Sequence, residues 1–326
     1  MRCSGAVTRG RVPPRLCGAR AFAVQWPVVR VLDGIQSALN PQGPDAALIA
    51  EISWVLFAGA ALIFVAVMAL AAYAVFAKRE SAARLSPRLL LVGGGIVFPA
   101  VTLLALLVYS LVRAASLQPE DAHALKIEVI GEQWWWRVRY AGFETANEIR
   151  IPVGRPVELV LRSADVIHSF WVPVLAGKLD MIPGRSNRLR LRAGRPGEFR
   201  GQCAEYCGGP HALMALFVVA QEPAQFEQWL DAQRRPATQS NDVFVSSCGA
   251  CHTVRGTPAV GVLGPDLTHV GSRLSIGAGL LPNNAGALAG WIASSQHLKP
   301  GNLMPEFRHF SGEELQALAG YLERLR

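Results

Sequence analysis

Charge is scarce in this sequence. Charged side chains make up 17% of its 326 residues and hydrophobic ones 51%. That is too apolar for an ordinary soluble protein and points to membrane spans. Basic patches interleaved with aromatics are missing, which sets nucleic acid aside despite a formal net charge of +8. The excess is local: residues 1–32 hold six arginines and no acid, so the rest of the chain carries 8 − 6 = +2. No internal repeat or low-complexity tract occurs, so the blades of a propeller are absent.

Two stretches lack charge altogether. The first, Ile52 to Ala77, is 26 residues long. At ~1.5 Å per residue it reaches ~39 Å, enough to cross a bilayer with some tilt. The second runs from Leu89 to Val112. Its Gly93-Gly94-Gly95 and Pro99 would weaken a soluble helix but are tolerated in a membrane. Buried core helices fit these lengths poorly. Between the runs, "KRESAARLSPR" sets Lys78, Arg79, Arg84 and Arg88 against Glu80 alone, which marks the cytoplasmic side. Everything after Val112 is then outside. The basic leader, 1–33, would also lie outside, against that rule; it is expected to be cleaved or to come from a misassigned start. The hairpin divides into an outer segment 34–50, helices 51–77 and 89–112, and a cytoplasmic loop 78–88.

Cysteine is sparse but concentrated. Of six, Cys3 and Cys17 lie in the leader, where Cys17 reads as stray; the other four sit in two motifs. "GQCAEYCGGPHALM" crowds Cys203, Cys207, His211 and Met214 into one loop. Thiolate, imidazole and thioether together select a soft or borderline metal, copper above all; zinc accepts a thioether poorly. With two cysteines, either one is idle or two coppers share both sulfurs. A second histidine must come from elsewhere, and His168 in "ADVIHSFWVP" is the candidate. The loop lies in a region, 124–232, of short apolar alternations between Gly/Pro breaks, which suggests a β-sandwich or barrel. "LKIEVIGEQWWWRVRY" reads as strand, and its three tryptophans cannot all face one core because neighbours alternate. "EPAQFEQWLDAQ" reads as a closing helix and residues 233–241 as a linker.

"CGACH" is the attachment signature of a covalent c-type haem. Cys248 and Cys251 would form the thioethers and His252 the proximal ligand. The alternative is a thioredoxin-like redox pair, but no βαβ pattern accompanies it. Met304, in "KPGNLMPEF", is the expected sixth ligand, with His269 and His297 as rivals. The region 242–326 reads as helical with long loops. Its last helix opens on a capping box, Ser311 and Glu314, with Leu315, Leu318, Ala319 and Leu322 along one face.

"HSFWVPVLAGKLDMIPGR" followed by "GQCAEYCGGPHALM" resembles subunit II of cytochrome c oxidase. The likeness runs from about residue 34 to the end, and the appended haem motif is similar to the caa3-type oxidases. The resemblance implies a two-helix transmembrane hairpin, a cupredoxin-like β-sandwich and a C-terminal all-α class I cytochrome c domain. It implies a dinuclear copper centre bridged by Cys203 and Cys207. His168 and His211 each cap one copper, Met214 is a weak axial ligand and Glu205 offers its backbone carbonyl. The Glu205 side chain would help bind magnesium at the contact with the catalytic subunit, with Asp180 close by. Trp134 and Trp135 stand in the family's aromatic stretch for electron transfer. The implied partners are catalytic subunit I, subunit III, a cytochrome c or respiratory complex as donor, and the lipid bilayer. The implied site is a bacterial plasma membrane, spanned more than once, with both cofactor domains on the periplasmic face. The electron-entry subunit of a nitric oxide reductase and a membrane-tethered copper-delivery protein are the competing functions; the second has no use for haem. One departure is that "RLLLVGGGIVFP", at the start of the second span, lacks the family's frequent glutamate.

Overall fold

The computed structural model describes residues 34–76, 86, 88–115 and 124–326. The arginine-rich leader with Cys3 and Cys17, and most of the loop expected at 78–88, lie outside the described residues.

The two charge-free runs form helices long and apolar enough to cross a membrane. The first, α1 (Pro44–Phe76), buries only Ala46 and Ala50. The second starts at Leu89 in a wide π-type winding, in which the Phe98 amide reaches the Gly93 carbonyl, and continues as α2 (Phe98–Ala114). Pro99 has no amide hydrogen to give and crowds the carbonyl four residues back, so a wider turn over the glycines relieves the clash. No residue of the second helix is buried. Apolar faces left uncovered all round are the reverse of a core helix. Glu51 on α1 accepts hydrogen bonds from Tyr109 and Arg113 on α2, tying the two helices near one end.

Helix α1 begins earlier than the charge-free run. Pro44 and Asp45 open it, a proline and an acid that both suit a first helical turn. The chain before it is strapped to the β domain: the Gln42 amide donates to Val174 O, and the Gly194 amide to Gln42 O.

The β domain is a sandwich of two five-stranded sheets. One has the order β3 (Phe143–Ala146), β2 (Trp135–Tyr140), β1 (Leu125–Glu132), β5 (Val157–Ser163), β8 (Asn187–Leu191). The other runs β4 (Glu148–Pro152), β10 (Ala215–Gln221), β9 (Gly197–Cys203), β6 (His168–Trp171), β7 (Leu179–Met181). Alternate residues such as Ile127, Val129, Leu159, Leu161, Phe170, Leu216 and Val218 fill the space between. The stretch "LKIEVIGEQWWWRVRY" is not one strand. Glu132 pairs with Trp135 across an antiparallel hairpin, so Gln133 and Trp134 form the turn. No Gly, Asn or Pro marks it; instead both turn side chains donate to Cys207 O. Helix α3 (Pro223–Arg234) closes the domain with Phe226 and Leu230 buried.

The C-terminal unit packs α4 (Asp242–Ser247), α5 (Ala285–Leu298) and α6 (Gly312–Arg324) around Phe244, Leu288, Ile292, Leu318 and Leu322. The capping box of Ser311 and Glu314 is formed. The segment between the domains is pinned rather than slack: Arg255 donates to Gln233 O, and the Ala237 amide donates to Arg255 O. The two domains also meet directly. The Leu274 amide donates to Glu148 Oε2, Arg150 to Ser272 O, Arg137 to Val262 O and the Ala215 amide to Ala278 O.

Candidate metal and haem sites

Three strands of one sheet build the first site. Phe170 on β6 pairs with Cys203 at the end of β9, and Ala215 at the start of β10 pairs with Gln202. The loop 204–214 therefore leaves and re-enters the sheet beside His168. The donor atoms of His168, Cys203 and Cys207 all lie within 4.8 Å of one another. The two sulfurs are 3.8 Å apart and unbridged. Cys203 Sγ is 3.9 Å from His168 Nδ1 and 3.2 Å from Glu205 O. Cys207 Sγ is 3.5 Å from His211 Nδ1 and 3.9 Å from Met214 Sδ. His168, Cys203, Cys207 and Met214 are all buried. Each donor singled out in the sequence thus reaches one pocket, and the set of two thiols, two imidazoles and one thioether fits a soft metal.

The sulfurs share their protons unequally. The Cys203 thiol is pushed well down, first by its hydrogen bond with Cys207 and also by His168, against the effect of burial. Cys207 is pushed up by that same hydrogen bond and by burial. A metal cation that binds both sulfurs displaces the remaining proton, so loading is coupled to proton release.

Asp165 is the residue that sequence reading missed. Its Oδ1 lies 2.8 Å from His168 Nε2, leaving Nδ1 turned to the sulfurs. Burial alone would hold the imidazole neutral, but hydrogen bonds to Cys203 and Asp165 more than offset it and raise its pKa. A carboxylate behind a ligating histidine fixes the ring and raises its basicity. The three-residue spacing in "DVIH" was the available signal. Gly131 on β1 is needed for close approach: a Cβ there would sit 2.8 Å from the His168 ring.

The three tryptophans diverge. Trp136 is fully buried, edge-on to Phe170. Trp135 lies under the Arg137 guanidinium at 4.7 Å. Trp134 donates its Nε1 hydrogen to Cys207 O at 2.9 Å, so of the pair expected to carry electrons it is the one fastened to the metal loop.

In the C-terminal unit, His252 Nδ1 donates to Pro265 O at 2.8 Å, which leaves Nε2 bare as a ligand atom. Gly264 makes room for this ring, since a Cβ there would come within 2.5 Å of it. Burial lowers the pKa of His252, keeping the imidazole neutral. Cys251 is exposed and Cys248 half-buried. Val260, Val262, Leu263 and Leu303 are large apolar side chains, each 70% exposed or more. Met304 is half-buried in a braced loop: its amide donates to Asn302 Oδ1, and its carbonyl accepts from Ser295 and Gln296. Of its rivals, His297 is exposed, and His269 is committed to Arg235 O at 2.9 Å.

Comparison with known proteins gives the family. The model of the cytochrome c oxidase subunit II periplasmic domain matches residues 141–221, and that of cytochrome c matches residues 237–326. Cytochrome c oxidase subunit 2 of Branchiostoma floridae is 33% identical over 158 residues, which make up 41% of this chain and 69% of that one. The chain belongs to the cytochrome c oxidase subunit II family. The bacterial subunits 2 of Alkalihalophilus pseudofirmus and Bacillus sp. strain PS3 are 41% and 32% identical, over 61% and 66% of this chain. The chain spans 61% and 66% of the length of those two relatives. The crystal structure of the periplasmic domain of subunit II (CoxB) of Bradyrhizobium japonicum is 32% identical, with a TM-score of 0.34 over 36% of this chain and 97% of that one. The two matched models imply copper and haem in this subunit II chain, and His168, Cys203 and Cys207 can hold a metal.

The sixth haem ligand is open to test. Met304→Ala should lower the haem midpoint potential by on the order of 100 mV, because a thioether opposite histidine raises it. A redox titration of the haem band checks this; an unmoved potential would rule Met304 out.

Proposed function

We propose that this chain is the electron-entry subunit of a haem–copper terminal oxidase. On this reading the chain would hold a haem c and a dinuclear copper centre, which would supply electrons to a catalytic subunit that reduces O2 to water and pumps protons. The observation that carries this reading is the convergence of two thiols, two imidazoles and a thioether on one buried pocket. Cys203, Cys207, His168, His211, Met214 and the Glu205 carbonyl would hold the copper centre. Bound there, a copper pair would supply a one-electron store whose charge change is spread over both ions, and a haem that Cys248, Cys251, His252 and Met304 would hold would supply the entry point.

The protein's share is placement and exclusion of water. Asp165 holds the His168 ring, Pro265 holds that of His252, and Trp136 and Phe170 wall the copper pocket. On this reading the O2 chemistry belongs to the catalytic subunit. Magnesium would use the Glu205 carboxylate. Asp180 is register-opposite Ser169, whose carbonyl accepts from Ala204, so it belongs to the same corner. The partners are subunits I and III and a cytochrome c or respiratory complex as donor. The two apolar helices would place the chain in a bacterial plasma membrane as a multi-pass anchor, with both cofactor domains periplasmic.

Purification of the complex from its native membrane tests the reading. The chain should arrive with a multi-span haem subunit, both cofactor spectra and O2 consumption. A preparation that reduces nitric oxide and not O2 would overturn it.

A further inference from the structure

Lys299 is a buried lysine that neither cofactor uses. It is 2% exposed, and its ammonium donates to three backbone carbonyls: Trp134 O at 2.6 Å, Leu213 O at 2.9 Å and Gly277 O at 3.0 Å. An ammonium has three hydrogens and no more, so all of them are spent. Two of the acceptors belong to the β domain and one to the C-terminal unit. The partners are neutral carbonyls, and burying a charge among them is costly where an aliphatic chain of similar length would fill the space. Burial pushes its pKa down, with Cys207 acting the other way, and the three carbonyls that accept its hydrogens favour the charged form.

Each end of this contact is one step from a ligand set. On the β side, Trp134 is hydrogen-bonded to Cys207 O, and Leu213 precedes Met214. On the other side, Lys299 ends α5 and opens the loop that carries Met304. That loop is stiff: Asn302 donates to Ser295 O and Lys299 O, and Gln296 to Asn302 O and Met304 O. Gly301 lies against the Trp134 ring, where an added Cβ would be 3.7 Å from it. A displacement of Lys299 therefore moves the Met304 loop relative to the Cys207 loop.

We infer that Lys299 is the positioning residue for haem-to-copper electron transfer, the ammonium that holds the Met304 loop docked on Trp134 and the copper loop. The inference rests on the function proposed above. In the step it serves, one electron leaves the haem iron, which goes from ferrous to ferric, and enters the copper pair, which is reduced by one; no bond forms or breaks and no proton moves. A docked arrangement has no diffusive search before the electron crosses. Without the three charge-assisted hydrogen bonds the docked population of the Met304 loop falls, although the other contacts still hold the domains together, and the transfer must wait for that loop to return to Trp134.

The test uses the purified oxidase complex, inhibited with cyanide, with haem c reduced by a photoactive ruthenium reagent. Haem reoxidation and the copper near-infrared band are followed together, with and without added sucrose. In the unsubstituted complex the haem-to-copper rate should be independent of viscosity. Lys299→Met should keep both cofactor spectra, slow the transfer by about tenfold or more, and make it fall with viscosity. Loss of folding alone would remove spectra rather than create a viscosity dependence. An unchanged rate in Lys299→Met overturns the inference, as does a rate that already falls with viscosity in the unsubstituted complex. The second result decides even if the variant does not assemble. Absence of any haem-to-copper transfer in an unsubstituted complex with both spectra present overturns the functional reading itself, and the inference with it.

Discussion

Cys203→Ser should abolish the EPR signal of a mixed-valence copper pair and leave the haem c spectrum as it was. Cys203 stands where the ligand set meets: Cys207 Sγ, His168 Nδ1 and Glu205 O all lie within 3.9 Å of its sulfur. A serine hydroxyl is a hard donor that holds its proton, so it cannot bridge two soft ions. One sulfur then remains, and the best site it can form with His211 and Met214 is mononuclear. The haem motif sits in a separate core built on Phe244, Ile292 and Leu318, so its spectrum reports that the rest of the chain has folded. An unchanged mixed-valence signal would sink the assignment. Cys207→Ser is the matching variant, and the same outcome is expected from it.

Much of this was legible because it is local. A charge-free run declares a span, "CGACH" declares a haem, and Ser311 with Glu314 declares a helix start, each within a few residues. The donor side chains that converge at the first site were legible too, because four of them share one loop and the fifth needed only a histidine at the head of a strand. What escaped was long-range or unmarked. The turn at Gln133 and Trp134 has no turn residue; it is held by a carbonyl 74 positions away in the case of Gln133. The wide winding at Gly93 depends on Pro99, which a charge count does not weigh. Lys299 reads as an ordinary lysine after a helix, since the partners that bury it come from residues 134, 213 and 277. The stretch at 233–241 was expected to be a linker by composition, yet Arg255 and His269 hold its backbone from the far side.

That held segment sharpens the last prediction, which concerns how electrons enter. An oxidase that docks a soluble cytochrome c presents an acidic surface to steer a basic donor. Residues 124–232 carry thirteen Lys and Arg against twelve Asp and Glu, a balance of +1, and residues 242–326 carry six of each. Neither domain has acid in excess. The face nearest the copper loop is also occupied, because Lys299 covers Trp134 O and Leu213 O and Gly301 lies on the Trp134 ring. A tether makes steering unnecessary, since it alone holds its donor at ~mM effective concentration, and docking raises the effective value further. The haem domain should therefore be the obligatory entry point. Nicking the chain near Arg235 would not test this, because the contacts from Arg255, Arg150 and Leu274 would keep the pieces together. Deletion of 236–326 would. The shortened oxidase should keep its copper spectrum and lose most of its O2 consumption with the physiological donor. The intact oxidase should show activity that changes little between low and high ionic strength. Full activity in the shortened form, falling steeply with salt, would mean that soluble donors dock directly on the copper domain.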